Sequence, residues 1–162
     1  MRILVMSDCH GAINSALTAL MDREDVKEVI FLGDGAGEIY RISARFPEKN
    51  FHIVRGNCDF SAPFPDSLLL EFRGKRIFAC HGHLFGVKGG LSRLVDEARA
   101  KKADIALFGH THRGLTRYED GLYLMNPGSL TRAGEHSYGT IDITEYKYDE
   151  YGNAVRTQYA SG

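Results

Sequence analysis

Five short apolar runs in this chain each end on Asp, His or Asn, and that pattern narrows the fold more than any other feature. Ile3-Leu4-Val5-Met6 leads into Ser7-Asp8-Cys9-His10, and Val29-Ile30-Phe31-Leu32 leads into Gly33-Asp34. His52-Ile53-Val54 leads into Arg55-Gly56-Asn57, and Ile77-Phe78-Ala79-Cys80 into His81. Ile105-Ala106-Leu107-Phe108 leads into Gly109-His110-Thr111-His112. Apolar runs of this length read as buried strands. Open α/β sheets bind ligands at the carboxyl edge of their strands, so these polar groups are expected to converge on one place.

The rest of the chain fits that frame. Strands are expected at Arg2–Met6, Val29–Leu32, Phe51–Val54, Leu68–Phe72, Arg76–Cys80 and Ile105–Phe108. Ile13, Leu17, Leu20 and Met21 recur at helical spacing up to the polar Asp22-Arg23-Glu24-Asp25. A second helix is expected over Glu38–Phe46, with Pro47 helping to stop it, and a third on Leu91, Leu94, Val95 and Ala98. Arg73-Gly74-Lys75 reads as a hairpin turn. From Leu122 onward the pattern is mostly β, ending in runs around Ile141–Tyr148 and Ala154–Tyr159 joined by a hairpin loop at Glu150-Tyr151-Gly152-Asn153. Alternating strands and helices followed by further strands suggest a layered α/β sandwich.

At 162 residues the chain is expected to form one domain, residues 1–162. Its formal net charge of −1, without a basic run, argues against a nucleic-acid or membrane-surface partner. No apolar stretch approaches the roughly 20 residues of a membrane span, and Met1–Asp8 lacks the pattern of a signal peptide, so the cytoplasm is the expected location. Cys9, Cys58 and Cys80 are odd in number and lack CxxC spacing, which reads as reduced thiols rather than disulfides or a zinc knot.

Asp8, His10, Asp34, Asn57, His81, His110 and His112 supply imidazoles, carboxylates and an amide carbonyl, a mixture suited to Mn²⁺, Fe²⁺, Zn²⁺ or Ni²⁺. Asp8 and His10 are two apart, so on an extended segment both would face one side, and the same holds for His110 and His112. Gly33, Gly56 and Gly109 precede three of these residues, where a missing side chain permits a tight turn and a close backbone approach.

Taken in order, Asp8-Cys9-His10, Gly33-Asp34, Gly56-Asn57-Cys58-Asp59, His81 and Gly109-His110-Thr111-His112 resemble the calcineurin-like metallophosphoesterase superfamily pattern DxH, GD, GN(H/C)(D/E), H and GHxH. Asn126-Pro127-Gly128-Ser129 and His81-Gly82-His83 are similar to its small prokaryotic phosphodiesterase branch. The resemblance implies a four-layer αββα sandwich, two mixed β-sheets flanked by helices. It also implies a phosphodiesterase acting on a small phosphoester through two divalent metal ions per chain, Mn²⁺ first, with Ni²⁺, Fe²⁺ or Zn²⁺ as alternatives. Asp8, His10, Asp34 and His112 would hold one metal, and Asp34, Asn57, His81 and His110 the other, with Asp34 bridging. Such a pair keeps a positive first shell and lowers the pKa of a bridging water, which then attacks phosphorus.

Cys58 stands where many members have a histidine that protonates the leaving group, and a thiol is a poor substitute for it. Asp59, which would orient that histidine, is expected to bond backbone or a ligand's second nitrogen. The catalytic set is thus Asp34, Asn57, Cys58, Asp59 and His83; Arg55 and Arg113 are further candidates for phosphate contact, and His52 and His136 are read as structural. The rival reading is a protein-binding scaffold of this fold, similar to the retromer scaffold subunit. Phe60, Phe64 and Leu68-Leu69-Leu70 would then form a docking patch, or else a homodimer contact.

Overall fold

A computed structural model describes residues 1–131, 136–144, 146–148 and 154–156. One sheet is built from β1 (Arg2–Met6), β2 (Glu28–Phe31), β3 (Asn50–Ile53) and β9 (Gly139–Asp142) in the order β3-β2-β1-β9. β1, β2 and β3 run parallel, and β9 is antiparallel to β1. The second sheet contains β4 (Ser67–Phe72), β5 (Lys75–Cys80), β6 (Ile105–Leu107), β7 (Leu115–Glu119) and β8 (Leu122–Asn126), ordered β4-β5-β6-β8-β7. Its centre, β5, β6 and β8, is parallel, and both edges are antiparallel. Helices α1 (Ile13–Asp22), α2 (Ala36–Ser43) and α3 (Ser92–Ala100) complete the core architecture.

The period of two along each strand shows why four layers form. Leu4, Met6, Val29 and Phe31 pack against Ala16 and Leu20 of α1 and Ile39 of α2. Their alternates Ile3, Val5 and Ile30 meet Ile77, Ala79, Ile105 and Leu107 between the sheets. On the outer face of the second sheet, Phe78, Cys80, Ala106 and Leu124 pack under Leu94 and Ala98 of α3. Both sheets are therefore covered on both faces, which unbroken apolar runs require. The result is the expected pair of mixed sheets flanked by helices.

Several boundaries differ from expectation. The second helix spans Ala36–Ser43 rather than Glu38–Phe46; it starts on the turn after Gly35 and ends before Pro47 can act. Met21 is 61% exposed, because Ala16, Ala19 and Leu20 carry the buried face of α1. The run Ile141–Tyr148 divides between β9 and β10 (Tyr146–Tyr148); β10 pairs antiparallel with β11 (Ala154–Arg156) in a separate ribbon. The loop expected at Glu150–Asn153 lies outside the described residues. Arg73-Gly74 does close the β4–β5 hairpin, with both residues at positive φ, the conformation a two-residue turn needs. An equivalent turn at Asp120-Gly121, both at positive φ, joins β7 to β8. Among the described residues no helix is long and apolar enough to cross a membrane.

Candidate metal centre

The parallel strands β1, β2 and β3 end side by side, as do β5 and β6, and the loops after them meet at one edge. Asp8 is fully buried, and its Oδ2 accepts hydrogen bonds from Ser7 Oγ at 2.6 Å and His110 N at 3.1 Å. Its other oxygen, Oδ1, is buried with no hydrogen-bond partner, although His112 Nε2 lies 3.0 Å away and His10 Nε2 3.7 Å away. Asp34 is arranged the same way. Oδ1 accepts from Cys58 N at 2.8 Å, while Oδ2 faces His10 Nε2 at 3.5 Å and His81 Nε2 at 3.4 Å. Each carboxylate is thus anchored by one oxygen and presents the other.

His81 completes the arrangement. Its Nδ1 donates to Leu32 O at 2.6 Å, so the lone pair of a neutral ring lies on Nε2. Nε2 is 3.1 Å from Asn57 Oδ1, and Asn57 Nδ2 is turned towards Cys58 Sγ at 3.4 Å. Nε2, the Asn57 carbonyl and Asp34 Oδ2 are all acceptors facing one another. Either a proton on Nε2 or a cation must sit among them. The ionic state reflects this: burial opposes it, yet hydrogen bonds from His81 and Cys58 hold Asp34 well below the usual carboxylate range. Burial likewise opposes protonation of His81, but Asp34 and Asp8 raise its pKa above the ordinary value. His110 is pushed down to about 4 by burial, then by His81 and Lys88, so near neutral pH its ring is uncharged and able to ligate.

Among the described residues, three clusters of side chains could hold a cation: Asp8, His10 and His112; His10, Asp34 and Cys58; and Asp34, His81 and His110. His10 and Asp34 each belong to two of them. The donor set of carboxylate oxygens and imidazole nitrogens, with an orphaned buried oxygen at its centre, fits divalent transition ions.

The backbone reading of these motifs needs correction. Asp8, His10, Asp34, His110 and His112 all have positive φ, between 39° and 66°, so none lies on an extended segment. Asp8 and His10 still meet in one cluster, but the left-handed turns send His110 and His112 different ways. His112 stacks near His10, with ring centroids 5.3 Å apart, whereas His110 lies 5.0 Å from His81. The glycines behave as expected. A Cβ on Gly56 would overlap Asp34 Oδ1, and one on Gly109 would overlap Ser7 Oγ.

Asp59 accepts from four backbone amides, Asp34 N, Gly35 N, Ala36 N and Gly56 N, at 2.8–3.0 Å. It ties the Gly33-Asp34 loop to the Gly56-Asn57 loop and caps the start of α2. His83 follows β5 in a short 3₁₀ helix (His83–Phe85), its ring 5.4 Å from His81 and its Nδ1 buried without a partner. Arg55 is paired with Asp66 at 2.7 Å. His52 is paired with Glu28 at 2.7 Å, away from the clusters. Of the residues considered for docking, Phe64 packs against the helix-side core and Leu68 and Leu70 between the sheets, leaving Phe60 and Leu69 exposed.

Two side chains brace the site without any local signal in the sequence. Asn126 Nδ2 donates to Gly109 O at 2.9 Å and to Thr111 Oγ1 at 3.1 Å, and Ser129 Oγ donates to Asp8 O at 3.1 Å. Asn126-Pro127-Gly128-Ser129 therefore supports both outer loops of the site. The motif was visible, but its contacts span 17 and 121 residues, beyond any local pattern.

The cysteines divide by burial. Burial pushes the Cys9 thiol up to about 11 and the Cys80 thiol up to about 12, whereas Cys58 is exposed at the site. A thiol-reactive chromophore should label one cysteine per folded chain and three after denaturation. Fast labelling of two or three thiols in the folded protein would contradict this burial.

Comparison with known proteins agrees with the geometry. Residues 1–147 match the calcineurin-like phosphoesterase superfamily domain. A probable metallophosphoesterase of Bacillus subtilis, YsnB, is 30% identical over 96% of this chain and 95% of its own. The phosphodiesterase YfcE of Escherichia coli is 28% identical over 88% of both chains. A conserved Streptococcus pneumoniae protein, a predicted phosphoesterase, superposes with a TM-score of 0.73 at 30% identity, covering 88% of this chain and 84% of the other. Vps29 of Chaetomium thermophilum shares the fold, with a TM-score of 0.71 at 20% identity over 96% of this chain and 93% of its own. With its fold, its motifs and these relatives in agreement, the chain belongs to the calcineurin-like phosphoesterase superfamily.

Proposed function

We propose that the protein is a phosphodiesterase that hydrolyses a small phosphoester with two divalent cations. Asp8, His10, Asp34 and His112 hold one, and Asp34, Asn57, His81 and His110 hold the other. The carrying observation is the meeting of His81 Nε2, Asn57 Oδ1 and Asp34 Oδ2, which needs a proton or a cation between them, beside the orphaned Asp8 Oδ1. When bound, two dications supply positive charge for the phosphate and acidify a water.

The chain's own residues do the positioning. Ser7 Oγ and His110 N hold Asp8 by Oδ2, and Cys58 N holds Asp34 by Oδ1, so each free oxygen is aimed before any ion arrives. Leu32 O fixes the His81 tautomer. Asp59 acts through the backbone, keeping the Asp34 and Asn57 loops in register. His83, its pKa lowered by burial and by His81, is a neutral ring at neutral pH and serves as a phosphate contact. YfcE, named a phosphodiesterase, supports the diester class.

The test is metal removal. Chelator-treated protein should lose hydrolysis of an activated aryl phosphodiester, and Mn²⁺ or Ni²⁺ should restore it. Metal-loaded protein that turns over no ester would overturn the reading in favour of a scaffold.

A further inference from the structure

A cleft of about 560 Å³ opens beside the metal centre, within the range of roughly 300–1,000 Å³ usual for small-molecule sites. One wall follows the 3₁₀ helix and carries Val87, Lys88 and Leu91; the other continues from Thr111 to Arg113 and Leu115, with Phe108 at the base. Thr111 lies between His110 and His112, so this wall is a direct extension of the site loop. Asn126 pins that loop through Gly109 O and Thr111 Oγ1.

The lining has a distinct chemistry. Half-buried Leu91 and Leu115, backed by the buried Val87 and Phe108, give an apolar surface suited to a ring. Lys88 and Arg113 are both exposed, and among the described residues neither side chain has a hydrogen-bond or ion-pair partner. No lining residue is acidic. Two unpaired cations over an apolar floor complement a ligand that is itself part ring and part anion.

Resting on the phosphodiesterase reading, we propose that this cleft binds the retained half of the substrate. We further propose that this half carries an apolar ring with a second anionic group, held by Lys88 and Arg113. The hydrolysed phosphate sits at the metal centre, and the second anion lies along the wall that leads away from His110. The cleft then sets specificity among diesters and takes no part in bond cleavage.

The experiment uses two 4-nitrophenyl diesters that differ only in the retained group, phenyl or 4-carboxyphenyl. Both are assayed with Mn²⁺-loaded wild type and with the double variant Lys88→Gln, Arg113→Gln. Wild type should favour the carboxylate-bearing ester by about tenfold in kcat/KM, the size expected for charge-assisted contacts that remain partly solvated. The preference should shrink with added salt and fall to near one in the variant. An unchanged preference in the variant, or none in wild type, overturns the proposal. The phenyl ester alone reports whether the protein hydrolyses diesters at all. Should neither ester turn over, calorimetric titration with 4-phosphonobenzoate still decides the subsite: the double variant should bind it about tenfold more weakly, and equal affinity rejects the proposal.

Discussion

Asp34→Asn should leave a folded protein with almost no bound metal and at least about a hundredfold less activity, since even outer partners of metal ligands are worth 10–100-fold. The substitution isolates charge from structure. Asparagine tolerates the left-handed conformation that Asp34 adopts at φ 58°. Its amide oxygen can still accept from Cys58 N, so the loop anchor survives. What is lost is the anionic Oδ2 that lies within 3.5 Å of both His10 and His81. With that oxygen neutral, two dications would share a single carboxylate, Asp8. His52→Ala, which breaks only the pair with Glu28, should retain metal and activity. Metal analysis of the purified variants decides the matter. Full occupancy in Asp34→Asn would remove Asp34 from the shared position.

Cys58 governs the second large effect. Its thiol lies in a cluster with Asp34 and His10. A protonated thiol is a weak donor and a poor match for a departing alkoxide. General acid catalysis is typically worth about 10²–10⁴-fold, and its lack falls on poor leaving groups, because a nitrophenolate departs unaided. Rates on aryl phosphodiesters should therefore fall steeply as the leaving-group pKa rises. Cys58→His should flatten that slope, and Cys58→Ser should change it little. Asp59 is already committed to four backbone amides, so the new imidazole would take its orientation from the Asn57 side instead. A flat wild-type series, or a collapse in Cys58→Ser, would show that a proton donor is already in place.

The strand ends were legible because each buried run is short, unbroken and finished by a polar residue. A layered α/β sandwich could be inferred from the alternating runs and its two sheets from the family resemblance, but the division of Ile141–Tyr148 between β9 and β10 could not. β9 joins β1 through pairing across the whole chain, Arg2 opposite Asp142, and nothing local marks that register. The site residues were readable as types and spacing, while their backbone was not. Positive φ is uncommon for any non-glycine residue and no local pattern marks it, while Gly33 packs against Gly56 and Gly109 against Ser7 beside those turns. Asn126 and Ser129 were visible as a motif without a role, for their partners are distant in sequence. The cleft beside His110 was invisible for the same reason: Lys88 and Arg113 lie 25 positions apart and line one cleft only in the folded chain.

Those five left-handed residues set sturdiness against chemistry. Each non-glycine residue held there costs about 1 kcal/mol, a sum comparable with much of a small domain's net stability. Glycine at Asp8, His10, Asp34, His110 or His112 would relieve the backbone while deleting a donor. Selection for a hardier molecule and selection for an active one thus act in opposite directions on the same positions. On the proposed reading, a descendant that no longer needed the metal centre would gain stability by erasing these side chains first, keeping the sandwich and discarding the centre.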